Sequence, residues 1–203
     1  MRLDPKKNLL EHSAAKVLLL EKYLQKYLNI ISHDNYTQKV FLFDLFCSEG
    51  LYENDGEGSP LVMLRLVKNL YFQNKAIKKD ICKIDLFFND EDSEKIEKLK
   101  GIIEEKKLFV NDIGSLKFGK GTYEDVLPKV IEFVNSLKSQ KAFVFIDPYG
   151  YRAIRASQIK ELLKNRKTEV LLFLPTQFMY RFDEKGTPQA LIEIIEELVD
   201  YKD

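Results

Sequence analysis

Cysteine and histidine are scarce in this chain: Cys47 and Cys82, His12 and His33 are all it has. Two thiols without a C-x-x-C spacing do not make a zinc site by themselves. Free, buried thiols in an intracellular protein are the expectation. Two histidines leave few bases for a triad or a metal centre. No charge sign dominates either. Lys+Arg and Asp+Glu both number 32, so the formal net charge is zero. That removes the broad electrostatic argument for non-specific nucleic-acid binding, while leaving room for a local basic groove. No apolar run approaches the length of about 20 residues that a membrane span needs. The opening Met1-Arg2-Leu3-Asp4-Pro5 has no signal-peptide apolar core, and a cytoplasmic protein without membrane association is expected. Also missing are the G-x-G-x-x-G fingerprint, the P-loop and the G-x-S-x-G elbow.

What is present reads as one domain spanning residues 1–203, long enough to bury a sizeable core. Hydrophobic residues make up 45% and charged residues 32%, an ordinary globular balance. An amphipathic helix is expected over about residues 8–31, with Leu20, Leu24, Leu28 and Ile31 at helical spacing. Apolar runs suited to buried parallel strands follow at Val40–Leu45, Ile84–Phe88, Leu116–Phe118, Ala142–Ile146 and Val170–Leu174. Helical segments separate them. One starts with Ser59 as N-cap and Pro60 as first helical residue, one is capped at Asp92/Ser93, and others lie near 123–137 and 157–163. A last helix begins at Thr187-Pro188. Alternating strands and helices predict a Rossmann-like α/β fold, a mostly parallel sheet with helices on both faces. In such sheets ligands bind beyond the carboxyl ends of the strands.

Three constellations fall at those ends. The first is Asp44-Leu45-Phe46-Cys47-Ser48-Glu49-Gly50, a loop with small residues that lets backbone approach a ligand. It lacks the amide cradle of a phosphate site, which suits a ligand without phosphates. S-adenosylmethionine (SAM) is one, with an ammonium, a sulfonium and a carboxylate, and Asp44 can hold the ammonium. An ordinary β-to-α turn explains the same residues. The second is Asn89-Asp90-Glu91-Asp92, where Asp90 can accept hydrogen bonds from ribose hydroxyls, or the acids can serve to cap the next helix. The third, Phe145-Ile146-Asp147-Pro148-Tyr149-Gly150, is the most specific. An Asp147 carboxylate or Pro148 carbonyl can accept from an exocyclic amine, and Tyr149 can stack on a planar base for about 1–3 kcal/mol. A turn that ends the strand is the alternative. Thr122 lies where the adenine of SAM is expected, or simply caps a helix. Lys16 shares a helix face with His12. It can meet the SAM carboxylate if the first helix crosses the sheet edge, or stay solvated.

At these residues the sequence resembles the three-Cys-motif partner family (TcmP). His12-Ser13-Ala14-Ala15-Lys16 with Leu20-Glu21-Lys22-Tyr23-Leu24 is similar to the family's opening helix. Asp44–Tyr52 with Gly58-Ser59-Pro60 resembles its Asp-x-Phe-Ala-Gly-x-Gly-x-Tyr and Gly-Ser-Pro segments, and Ile146-Asp147-Pro148-Tyr149-Gly150 its Ile-Asp-Pro-Phe/Tyr-Gly. Ser48 and Glu49 depart from the family, standing where it has glycine and a small or proline residue. The resemblance implies a SAM-methyltransferase-like domain. It also implies a possible partner, a three-cysteine-motif protein. The Asp-Pro-Tyr-Gly loop is further similar to loops of enzymes that methylate exocyclic amines of nucleic-acid bases. A complete sheet of that type has two more strands after the fifth, and the family has a further C-terminal region. Both are expected to be absent here.

The leading expectation is therefore a SAM-dependent N-methyltransferase acting on nucleic acid. Lys16, Asp44, Phe46, Ser48, Gly50, Asp90 and Thr122 would hold the cofactor, and Asp147, Pro148, Tyr149 and Gly150 would present the acceptor. The alternatives are a non-catalytic partner-binding module on the same fold, and a metal-dependent nuclease using Asp90, Asp92 or Asp147.

Overall fold

The structure is a computed structural model. It describes residues 11–148 and 154–174, together with positions 189, 192, 196 and 197. The expected last helix lies outside the described residues except at those four positions.

Strand and helix alternate in chain order: α1 (Glu11–Ile31), β1 (Lys39–Asp44), α2 (Ser59–Ala76), β2 (Lys83–Asn89), α3 (Ser93–Glu105), β3 (Leu116–Gly119), α4 (Tyr123–Asn135), β4 (Lys141–Ile146), α5 (Ala156–Leu163) and β5 (Thr168–Leu172). The strands form one parallel sheet in the order β3-β2-β1-β4-β5. The α/β, Rossmann-like expectation holds. Among the described residues no helix is long and apolar enough to cross a membrane.

Successive strand side chains point to opposite faces, and the sequence uses both. Val40 and Leu42 of β1, Ile84, Leu86 and Phe88 of β2, and Phe143 and Phe145 of β4 pack with Leu20, Leu24 and Leu28 of α1 and with α2 and α3. Phe43, Leu45, Ala142, Val144 and Ile146 pack on the other face with Val126, Leu127, Val130 and Val134 of α4 and Ile159 and Leu162 of α5. Right-handed crossovers account for this division: chain moving outward from β1 to β3 stays on one face, and chain returning through β4 to β5 on the other. Full burial of one such side chain contributes about 1.5–3 kcal/mol, so this two-sided core dominates the fold's stability.

Local caps set the helix starts. Asp92 accepts from the Glu94 N–H at 2.9 Å to open α3, and Thr122 accepts from the Asp125 N–H at 3.3 Å to open α4. The expected start of α2 is off by one residue: Gly58 is the N-cap and Ser59 the first helical residue. Ser59 makes no capping bond there; its side chain lies beside Asp44 and opposes the rise in that carboxyl's pKa.

The crossover reverses direction between β1 and β4, and this is the switch point at which such sheets bind ligands. In register, Asp44 aligns with Phe88 of β2 and Phe145 of β4. The loops after β1, β2 and β4 therefore leave the sheet along one edge. Helix α1 crosses the face over β4. Tyr23 and Tyr27 pack on Phe143 with ring centroids 5.9 and 5.5 Å away, and the Tyr23 hydroxyl donates to Glu169 of β5 at 2.5 Å. Arg65 of α2 binds Glu21 of α1 at 2.9 Å and fixes the helix from its other side. The first turns of α1 are thereby brought to the carboxyl edge.

Candidate functional site

Asp44 is the deepest polar group of that edge. It is fully buried although it closes a strand next to a loop. Oδ1 accepts from the Phe46 N–H at 3.2 Å, while Oδ2 has no hydrogen-bond partner of ordinary geometry. Burial pushes the carboxyl up to about 7; Ser59 and the Phe46 N–H oppose the rise, and Asp147 and Asp90 add to it through their charge. Leaving an acceptor unsatisfied at zero exposure costs about 1–3 kcal/mol. Such groups concentrate where a ligand completes the hydrogen bonding.

Asp90 sits one residue past β2 and is 3% exposed. Its Oδ2 accepts from the Ser48 N–H at 3.0 Å and its Oδ1 from the Asp92 N–H at 3.0 Å. Lys95 of α3 stands 3.6 Å away. Asp90 thus braces the loop after β1 against the loop after β2. A carboxylate has about four lone-pair sites, so acceptor capacity remains for a ligand hydroxyl. Asn89, which the sequence reading passed over, is a second brace. Its amide donates to the Leu45 carbonyl at 3.4 Å and the Gly121 carbonyl at 3.0 Å, and its oxygen accepts from the Gly121 N–H at 3.2 Å. The stretches after β1, β2 and β3 are tied together by this one side chain. No local pattern marks an asparagine for that role.

The loop after β1 has a fixed shape. Ser48 lies at φ +56° and Gly50 at φ +81°, both in the left-handed region. A Cβ on Gly50 would fall 2.6 Å from Leu99 Cδ1, so the space there belongs to the core of α3 and α2. Glu49 turns outward to Lys98 of α3 at 2.9 Å. Phe46 stacks on Tyr123 with centroids 5.1 Å apart and planes at 21°. Tyr123 is itself buried, with a hydroxyl that has no hydrogen-bond partner. Thr122, next to it, both caps α4 and donates to Asp125 at 2.7 Å. Cys47 is buried in the same loop, and burial pushes its thiol up, which makes it unreactive. Cys82 is half-buried and pushed up to about 11. Both cysteines are free.

Beyond β4, Asp147 Oδ1 accepts from Lys16 Nζ of α1 at 2.6 Å. The same ammonium lies 5.6 Å from the ring centroid of Phe173, just past β5. Pro148 is buried. Tyr149 and Gly150 lie outside the described residues, and so does the side chain of His12.

One edge thus gathers Asp44, Asp90, Asp147 and Lys16, with Phe46, Tyr123 and Thr122 beside the loop after β3. The acids favour cationic groups, Lys16 is a counterpart for an anionic one, and the Phe46–Tyr123 pair offers an aromatic surface. Among the described residues no cluster of three His, Cys, Asp or Glu has the arrangement of a metal site. Asp92 is engaged in capping α3 and Asp90 in bracing loops. No model of a known protein family matches the chain, and no curated protein matches it in sequence.

Proposed function

We propose that the protein is a SAM-dependent N-methyltransferase that acts on an exocyclic amine of a nucleic-acid base, of the type resembled by the three-Cys-motif partner family. The observation that carries the reading is Asp44: a fully buried carboxyl at the switch point of a parallel sheet, with one oxygen that has Ser59 beside it but no hydrogen-bond partner of ordinary geometry. The donor set fits SAM. Asp44 would accept from the ammonium, Asp90 from the ribose, and Lys16 would meet the carboxylate. Phe46, Tyr123 and Thr122 border the region for the adenine. When bound, the cofactor supplies an electrophilic methyl group.

The chain's own work is positioning. Asp147 would accept an N–H of the acceptor amine and hold the nitrogen lone pair toward the methyl group. The Pro148 carbonyl would take a second N–H, and Tyr149 would stack on the base. The braces on Asp90 and Asn89 hold the cofactor side rigid, so orientation is set before the acceptor arrives.

Calorimetric titration with SAM tests the reading. Binding by the wild type and a loss of about tenfold to a hundredfold in Asp44→Ala are expected, the range for a hydrogen bond to a charged group. No heat at millimolar SAM, or the same affinity in Asp44→Ala, would sink it. Transfer of labelled methyl groups to RNA, absent in Asp147→Ala, tests the acceptor side.

A further inference from the structure

The chain has no net charge, yet its charges are unevenly placed. Between Glu57 and Asp80 it carries five basic residues and no acid: Arg65, Lys68, Lys75, Lys78 and Lys79. Arg65 is held by Glu21 and Glu57. The four lysines lie in the second half of α2 and just past its end. Helix α3 ends beside them: the Lys68 ammonium donates to the Lys107 carbonyl at 2.7 Å, and the Tyr71 hydroxyl to Asp112 at 3.0 Å. Lys78, Lys79, Lys106 and Lys107 are exposed. Phe72 stands among these charges with 49% of its surface open to solvent. The acids at this end, Asp80, Glu104, Glu105 and Asp112, are outnumbered by the lysines.

The two helix ends are built alike. After α2, the Lys79 N–H donates to the Asn74 carbonyl at 3.0 Å and the Lys78 N–H to the Lys75 carbonyl at 3.1 Å. After α3, the Leu108 N–H donates to the Ile103 carbonyl at 3.0 Å and the Lys107 N–H to the Glu104 carbonyl at 3.1 Å. This pattern needs one residue in left-handed backbone, a place that glycine takes by default. Here Lys78 takes it at φ +54° and Lys107 at φ +47°, where a side chain is penalised. Attraction to the negative end of a helix accounts for a lysine in the last turn, such as Lys75, but not for one at the penalised position. Strain retained at two neighbouring places points to a use for both side chains.

We propose that the surface formed by the ends of α2 and α3 docks a single-stranded nucleic acid, with phosphates on Lys78, Lys107 and the lysines between them and a base stacked on Phe72. Cationic groups around an exposed aromatic ring match a strand in which phosphates and bases alternate. The inference rests on the reading above for its partner, because the acceptor there is a nucleic-acid base. Phe72 lies 13 residues along α2 from Ser59, or about 20 Å. A strand whose acceptor base sits at the carboxyl edge must therefore run several nucleotides further to reach Phe72, and the surface selects a polymer over a free nucleoside.

Fluorescence anisotropy with a labelled single-stranded oligouridylate tests the surface. The decisive variant is Lys78→Gly with Lys107→Gly, which removes both charges and places the favoured residue at both positions. Its thermal midpoint is expected at or above that of the wild type, whereas its affinity for the RNA should fall about tenfold or more at low salt. The slope of log affinity against log salt should become shallower by about 1.4, the value for two lost phosphate contacts on a single strand. Phe72→Ala should lose about tenfold with the slope unchanged. Wild-type RNA affinity in the double glycine variant, or no binding of RNA by the wild type, overturns the docking site. Binding to phosphatidylserine vesicles but not to RNA, lost in the same variant, also overturns it and assigns the surface to a membrane. Methyl transfer to RNA at the wild-type rate by the double glycine variant overturns the docking site and leaves the methyltransferase reading. RNA binding through these lysines by a protein that neither binds SAM nor transfers methyl groups supports the docking site and overturns the activity.

Discussion

At the scale of single residues, the loop after β1 holds side chains in environments that ordinary sequences avoid. The carboxyl of Asp44 titrates near 7 in the folded chain against 3.8 ordinarily, chiefly because it is buried. Between those values the unfolded chain has released the proton and the folded chain retains it. Stability therefore falls as pH rises from about 4 to about 7 and levels off above that. Denaturant unfolding at pH 5 and pH 8 should show this as a loss of roughly 2–3 kcal/mol in the wild type. Asp44→Asn should lack that component. Ser48 is held at φ +56°, a region that costs a non-glycine residue about 1–2 kcal/mol. Ser48→Gly is expected to raise the midpoint of thermal unfolding by about 2–4 °C. Gly50→Ala should do the reverse. Its methyl group would meet Leu99 at 2.6 Å from a backbone at φ +81°, and overpacking of that kind costs about 1–3 kcal/mol.

At the scale of elements, the carboxyl edge depends on side chains that bind loops to one another. Asn89 is 1% exposed and satisfies Leu45 and Gly121 together. Asn89→Ala takes this partner from the buried Leu45 carbonyl, at about 1–3 kcal/mol, and from the part-buried Gly121 carbonyl and amide, at less. Denaturation should register a loss of several kcal/mol, and amide exchange near Gly121 should quicken. The strands themselves were legible. A parallel strand covered on both faces is a continuous apolar run, so Phe41-Leu42-Phe43 and Phe143-Val144-Phe145 announce β1 and β4. Strand β5 begins earlier than its apolar run, at Thr168, because Thr168 continues the ladder opposite Ala142. The acids of the site were legible for a topological reason: each follows an apolar run, and parallel strands bring such positions to one edge. Their wiring was not. The Ser48–Asp90 bond joins residues 42 apart, and the Lys16–Asp147 pair joins residues 131 apart. No local pattern encodes either contact.

At the scale of the whole molecule, protection is expected to decline from the middle of the sheet outward. Strands β1 and β4 are buried almost throughout, whereas β3 and β5, the outermost strands among the described residues, have partly exposed residues. Native-state hydrogen exchange should find the slowest amides at Leu42–Asp44 and Phe143–Phe145, and faster exchange in β3 and β5. Uniform protection across all strands would contradict this layout. The seat of α1 has a further consequence. The helix precedes every described strand, yet it packs on Phe143 of β4 and bonds Glu169 of β5. A ribosome adding about 5–20 residues per second delivers β4 several seconds or more after α1 has emerged. Through that interval Leu20, Leu24 and Leu28 have only α2 and the first strands to cover them. Helix α1 is thus among the last elements to reach its final seat, and the nascent protein must be kept from its neighbours until the fourth strand arrives.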